Sequence, residues 1–153
     1  MGEIFELSDL RKHLGFWLRF VSNHVSHAFA AKLQQTGVTV AEWVILRQMY
    51  DEVAVAPSAI AEATKLTRGA VSKLVDRLLA KQLLTREVRT DDRRYQSVAL
   101  TPAGRRVVPK LAALADQNDS EFFSSLTTGE RRALVDMLKK LAKANHLYKI
   151  PIE

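Results

Sequence analysis

The chain has 153 residues, 47% apolar and 26% charged, so it can bury one core behind a solvated surface and is neither a disordered chain nor two large domains. Lys and Arg number 23 against 17 acids, and a net charge of +6 favours a polyanionic partner. Cysteine is absent, which excludes disulfides, iron–sulfur clusters, thiolate metal sites and thiol redox switching.

No apolar run approaches the roughly 18 residues of a membrane span. The first ten residues carry Glu3, Glu6 and Asp9 and lack the basic-then-apolar order of a signal peptide, so a cytoplasmic protein without a membrane partner is expected. The positive charge is concentrated. Residues 60–110 hold twelve Lys and Arg against five acids, a net +7, while the rest of the chain is at −1. A solvated face usually mixes signs, so a polyanion-binding segment between near-neutral arms fits this distribution better.

In chain order, residues 5–33 read as one long helix. Leu7, Leu10, Leu14, Trp17, Val21, His24 and Ala28 alternate spacings of three and four, a heptad seam widened by Leu18, Val25 and Phe29. Thr39 with Glu42 forms a capping box for a second helix at about 39–51. Val53–Pro57 reads as a short strand. Ser58 reads as the N-cap of a third helix to about 64, Lys65 and Leu66 as a turn, and Thr67 as the next N-cap. Val71, Leu74, Val75, Leu78 and Leu79 then keep helical spacing to about 80. Two helices joined so tightly form a helix-turn-helix.

Leu84–Arg89 alternates with period two, Thr90–Arg94 is a polar tip, and Gln96–Leu100 returns, which predicts a β-hairpin with a basic tip. Thr101–Pro102 starts a helix to about 123, with Pro109 expected to kink it. Thr127 with Glu130 caps a last helix at about 128–148. The expected fold is mainly α with a small β-hairpin. It is one domain over 1–153, with a winged helix-turn-helix core at about 39–101 flanked by long N- and C-terminal dimerisation helices at about 5–33 and 102–148. Those terminal helices carry more apolar surface than so small a domain covers alone, and a twofold homodimer would bury it.

This order of elements resembles the MarR family of bacterial transcriptional regulators over nearly the whole chain. The resemblance is sharpest in Val71-Ser72-Lys73-Leu74-Val75-Asp76-Arg77-Leu78 and in Asp92-Arg93-Arg94-Tyr95-Gln96-Ser97-Val98-Ala99-Leu100-Thr101, where the family's wing has Asp-x-Arg and a return strand ending in Leu-Thr. Gly104 fits as well. Gln82 departs from the pattern, since the family often has Gly there, and the chain must turn without glycine's freedom. The resemblance implies a homodimer on a pseudo-palindromic double-stranded operator. It also implies a regulator, usually a repressor, released by a small anionic and often phenolic ligand.

The expected DNA contacts follow from docking geometry. The fourth helix lies in the major groove with Arg68, Ser72, Lys73 and, further along, Arg77 facing out, and Gly69 permits close approach. The blander reading is a solvated helix face, and Arg77 has Asp76 or Glu62 as alternative partners. Arg93 or Arg94 at the hairpin tip would enter a narrow minor groove. By resemblance Arg94 completes the Asp-x-Arg pair, with Asp92 orienting it. Arg86 and Arg89 are phosphate candidates, and Ser58 and Thr67 place helix N-termini where phosphate could sit.

Trp17, Phe20, His24 and Trp43 are candidates for a pocket between the first, second and fifth helices, where the family binds phenolic acids. Plain core packing is the commoner role for such aromatics. His24 and His27 stand three apart, but without Cys, and with Trp43 where zinc-sensing relatives tend to place His, no metal is expected. No enzyme motif and no cofactor signature appears. The competing reading is a basic protein-interaction or membrane-surface module without specific DNA binding.

Overall fold

The computed structural model describes residues 7–88 and 96–152. Its helices are α1 (Leu14–Gln34), α2 (Val40–Met49), α3 (Pro57–Thr64), α4 (Arg68–Ala80), α5 (Pro102–Phe122) and α6 (Thr128–Ala144). The strands β1 (Leu84–Val88) and β2 (Gln96–Leu100) lie between α4 and α5. They pair antiparallel with Leu84 opposite Leu100 and Val88 opposite Gln96. The segment expected as a strand at Val53–Pro57 contributes a single bridge, in which Val55 and Val98 exchange both backbone hydrogen bonds (2.9 and 2.8 Å). The mainly α winged helix-turn-helix is therefore as the sequence predicts.

Three boundaries differ, each for a local reason. The first helix does not run from residue 5. Asp9 accepts from the Arg11 N–H and caps a single 3-10 turn at Leu10–Lys12, and His13 is extended before α1 begins. Ser58 is not an N-cap. Pro57 occupies the first turn of α3, where its fixed φ and missing N–H cost nothing, so Ala56 is the cap and Ser58 lies inside the helix, exposed. The last helix ends at Ala144 rather than 148. His146 adopts a left-handed φ of 54°, and the Leu147 N–H closes onto the Ala142 carbonyl at 2.9 Å.

The core gathers α2, α3, α4 and the base of the hairpin. Ile45, Leu46, Met49, Ile60, Val71, Leu74, Val75, Leu78, Leu84 and Val98 are buried together, closed from above by Leu33, Val108 and Leu111. The turn out of α4 uses Gln82 at φ 58°, with the Leu83 N–H on the Leu78 carbonyl (3.0 Å) and the Gln82 N–H on the Leu79 carbonyl (3.0 Å). Glutamine thus holds a left-handed position that glycine would take without strain.

Gly104 lies against that same turn. A Cβ added there would overlap the Leu83 carbonyl oxygen and come within 3.2 Å of Leu100 Cδ2. The Leu83 carbonyl is fixed in turn by the Thr101 N–H (3.1 Å), so neither backbone can yield easily. Gly104→Ala is expected to destabilise the fold by about 1–3 kcal/mol, the range for forcing one extra carbon into a packed site. Urea unfolding with an unchanged m-value and a lowered midpoint checks this.

α1 and α5 pack side by side. Buried Asn118 donates to the Val25 carbonyl in mid-α1 (3.2 Å) and accepts from Lys32 Nζ (3.2 Å). Lys32 also pairs with Glu121 at 2.8 Å and, with the Gln117 amide, holds the Glu121 carboxyl below the usual carboxylate range. The outer surface of these arms is apolar and open. Leu14 is 71% exposed and Trp17 and Phe20 are each 48% exposed, while Met137, Leu138 and Leu141 are exposed on α6. No helix among the described residues is long and apolar enough to cross a membrane.

Candidate nucleic-acid interface

Burial of Val71, Leu74, Val75 and Leu78 turns the opposite face of α4 outward. Arg68, Gly69, Ser72, Lys73, Asp76 and Arg77 are all exposed. Thr67 caps the helix by accepting from the Ala70 N–H at 3.1 Å. Nothing lies within 4 Å of a Cβ built at Gly69, so the folded chain itself does not require glycine there. Among the described residues Arg68, Lys73 and Arg77 make no ion pair, and neither Asp76 nor Glu62 holds Arg77.

Asp76 is engaged elsewhere. Arg86 on β1 donates to Asp76 at 3.2 Å and to Gln96 on β2 at 2.9 Å, so one guanidinium ties both strands to α4. This removes an uncompensated acid from the outward face. It also means that Arg86, a phosphate candidate, already shares its charge. Ser58, Glu62, Lys65 and Arg68 line an open groove of about 620 Å³ between α3 and α4. Arg89, Asp92, Arg93 and Arg94 lie outside the described residues.

The aromatic candidates divide. Phe16, Trp17, Phe20 and His24 form a ladder along α1, with centroids 5.3 Å apart for Phe16–Trp17 and 4.5 Å for Phe20–His24. Trp17 Nε1 donates to the Arg11 carbonyl at 2.8 Å, and its ring lines a groove of about 640 Å³ between α1 and α6 with Leu14, Leu18, Val25, Phe123 and Leu138. Trp43 is not part of this group. It is half-buried against the core and lines a separate groove with Arg47, Asp51 and Ile150. Because α2 buries Glu42, Ile45, Leu46 and Met49, Trp43 is carried to its flank, and one chain does not bring the four expected residues together.

His24 Nδ1 stands 2.7 Å from the Phe20 carbonyl, an acceptor, so Nδ1 carries the proton. Only Nε2 then remains for a ligand, and it donates only in the imidazolium form.

Two side chains that set this geometry carry no signal in a sequence pattern. Lys81, at the end of α4, reaches 2.6 Å to the fully buried Glu42 carboxylate and 2.6 Å to the Gly37 carbonyl. Glu42 also accepts from the Thr39 N–H at 2.9 Å, so the capping box of α2 doubles as a socket for the end of α4. Arg105 on α5 donates to the Tyr50 and Glu52 carbonyls (3.2 and 2.9 Å) and closes the end of α2.

Comparison with known proteins agrees with this geometry. Residues 36–94, from the α1–α2 loop to the hairpin, match the MarR family pattern. A protein of Thauera aromatica assigned to transcriptional regulation of the hcr operon is 30% identical over 84% of this chain and 78% of its own. The transcriptional repressor MdtR of Bacillus subtilis is 30% identical over 73% of this chain and 72% of its own. The structure of Bordetella bronchiseptica BpsR, whose DNA binding is regulated by 6-hydroxynicotinic acid, superposes with a TM-score of 0.78 at 28% identity, covering 89% of this chain and 98% of BpsR. With the exposed face of α4, the hairpin beside it and the length of these matches, the chain belongs to the MarR family of transcriptional regulators.

Proposed function

We propose that the chain represses transcription as a homodimer on a pseudo-palindromic operator and is released by a small aromatic acid. One observation carries the reading: the outward face of α4 offers Arg68, Ser72 and Lys73 around an uncrowded Gly69, beside a hairpin locked to the same helix. A guanidinium or ammonium at that place suits guanine O6 and N7, and a hydroxyl suits a base edge or phosphate. Arg77 extends the row, Thr67 caps α4, and Ser58, in the first turn of α3, lines one groove with Arg68. At the hairpin, Arg93 or Arg94 enters the minor groove with Asp92 orienting Arg94, and Arg89 meets phosphate.

The second copy follows from surface chemistry. Leu14, Trp17, Leu18, Phe20 and Val21 on α1 and Val135, Met137, Leu138 and Leu141 on α6 are left open, an apolar face of the kind that marks a protein contact. A twofold contact there would set two α4 helices in successive major grooves, about 34 Å apart. Sedimentation should give a dimer at micromolar concentration, and footprinting should show two protected half-sites one helical turn apart. A stable monomer, or protection without that spacing, would contradict the reading.

The aromatic ladder on α1 supports the effector. A planar acid stacked on Trp17 or Phe20 and placed beside His24 Nε2 would lie where α1 meets the second copy. Release requires that it bind the wide-spaced dimer more tightly than the DNA-ready one, with a coupling of ~1–3 kcal/mol. Titration of a fluorescent operator complex with salicylate-like acids, wild type beside His24→Ala, checks this. Equal release from both proteins removes His24 from the site, and no release by any aromatic acid removes the effector.

A further inference from the structure

The segment after α6 is exposed at Leu147 and Tyr148, yet further along, at Ile150 and Ile152, it is held against the body of the fold. α5 rises for 21 residues and α6 returns for 17, which at 1.5 Å per residue is about 31 and 26 Å. The chain therefore comes back to the level of the helix-turn-helix. The left-handed turn at His146 then redirects it. Ile150 donates its N–H to the Thr64 carbonyl at 3.0 Å. Thr64 is the last residue of α3 and is fully buried, and a carbonyl at a helix end has no partner within its own helix. The tail supplies that partner. Ile150 also lines the groove beside Trp43, and Ile152 packs against the core. Pro151 between them has no N–H and favours an extended backbone, in which residues two apart fall on one side.

The point of attachment is specific. Lys65, the next residue after Thr64, takes the left-handed φ of 56° that reverses the chain, and Thr67 caps the recognition helix. The tail thus grips the turn that aims α4, at the far end of the helix whose apolar face is open to a second copy.

We propose that Leu147–Ile152 is an intrachain strap that positions the helix-turn-helix relative to α6. It gives movement of the dimer arms a route to the recognition helix separate from the α1–α5 pair. The inference rests on the proposed homodimer for this coupling and on the proposed DNA binding for the second of its two readouts.

The test compares the unaltered protein, a chain ending after Leu147, and Ile150→Pro, which deletes the hydrogen-bond donor. Backbone hydrogen exchange is read over Ala61–Leu66, and affinity is read on a duplex that wild type binds. Both variants should keep the dimer mass while exchange over Ala61–Leu66 accelerates roughly tenfold. Affinity for the duplex should fall by about three- to tenfold, a loss of fixed orientation without loss of any DNA-facing side chain. Unchanged exchange in both variants overturns the strap. Faster exchange with unchanged affinity overturns its positioning role, and dissociation of the truncated dimer would assign the tail to the subunit contact instead. If wild type binds no duplex, the functional reading fails, and the exchange measurement alone decides the strap.

Discussion

Lys81→Met is expected to cost the fold about 2–4 kcal/mol. The partner it abandons, Glu42, is 1% exposed, and removing one member of a buried ion pair leaves a charge without water or counter-ion. A wholly buried pair would cost about 3–5 kcal/mol, but the Lys81 side chain is 38% exposed, so solvent screens part of the interaction. Methionine keeps the length and apolar stem of the lysine, so the loss reports the charge and the two hydrogen bonds to Glu42 and Gly37. The double variant Lys81→Met/Glu42→Gln should recover part of the loss. The neutral amide is easier to bury and can still accept from the Thr39 N–H. Denaturant melts of the four proteins in the cycle give the coupling directly. Equal destabilisation of the single and double variants would show that the pair does not anchor α4 to α2.

The second large effect is on DNA. Arg68→Ala and Arg94→Ala should each weaken operator binding by ~1–3 kcal/mol, the range for a good specific contact. The two sit on separate elements expected in different grooves, so their losses should add to about 2–6 kcal/mol. Arg68 is exposed and among the described residues holds no ion pair, so Arg68→Ala should leave thermal stability nearly unchanged. Fluorescence anisotropy at fixed salt checks the loss, and the salt must be stated because phosphate neutralisation makes affinity fall steeply with it. Operator affinity equal to wild type in the double variant would sink the assignment of α4 and the hairpin as the reading elements.

What could be read from the sequence was set locally. Thr39 with Glu42, Thr67, Thr101 before Pro102, and Thr127 with Glu130 are caps made within four residues, and all four hold in the structure. The spacing of Val71, Leu74, Val75 and Leu78 settles which face of α4 is buried, hence which residues face out. The misread boundaries came from competition between neighbouring signals. Ser58 looks like a cap only if Pro57 is ignored, and the heptad seam runs through His13 although Asp9 has already started and closed a separate turn.

Contacts between distant residues left no pattern to find. Glu42 reads as an exposed cap until Lys81, 39 positions away, is seen to bury with it. Asn118 gives no hint that it serves the Val25 carbonyl, 93 positions back. Trp43 looks like a member of the α1 aromatic group because both are aromatic, and only the rotation of α2 in the core separates them.

Reading of a particular duplex through α4 and the hairpin is what separates a specific regulator from a merely basic surface. It is tested most directly by gel shift of the purified protein on the intergenic DNA upstream of its own gene, against a scrambled duplex of equal length and composition. A discrete complex of one dimer per site is expected, at least about a thousandfold tighter on the native duplex than on the scrambled one at physiological salt. Equal affinity for both, with the same salt dependence, would leave only non-specific attraction of a basic surface to a polyanion and would contradict it.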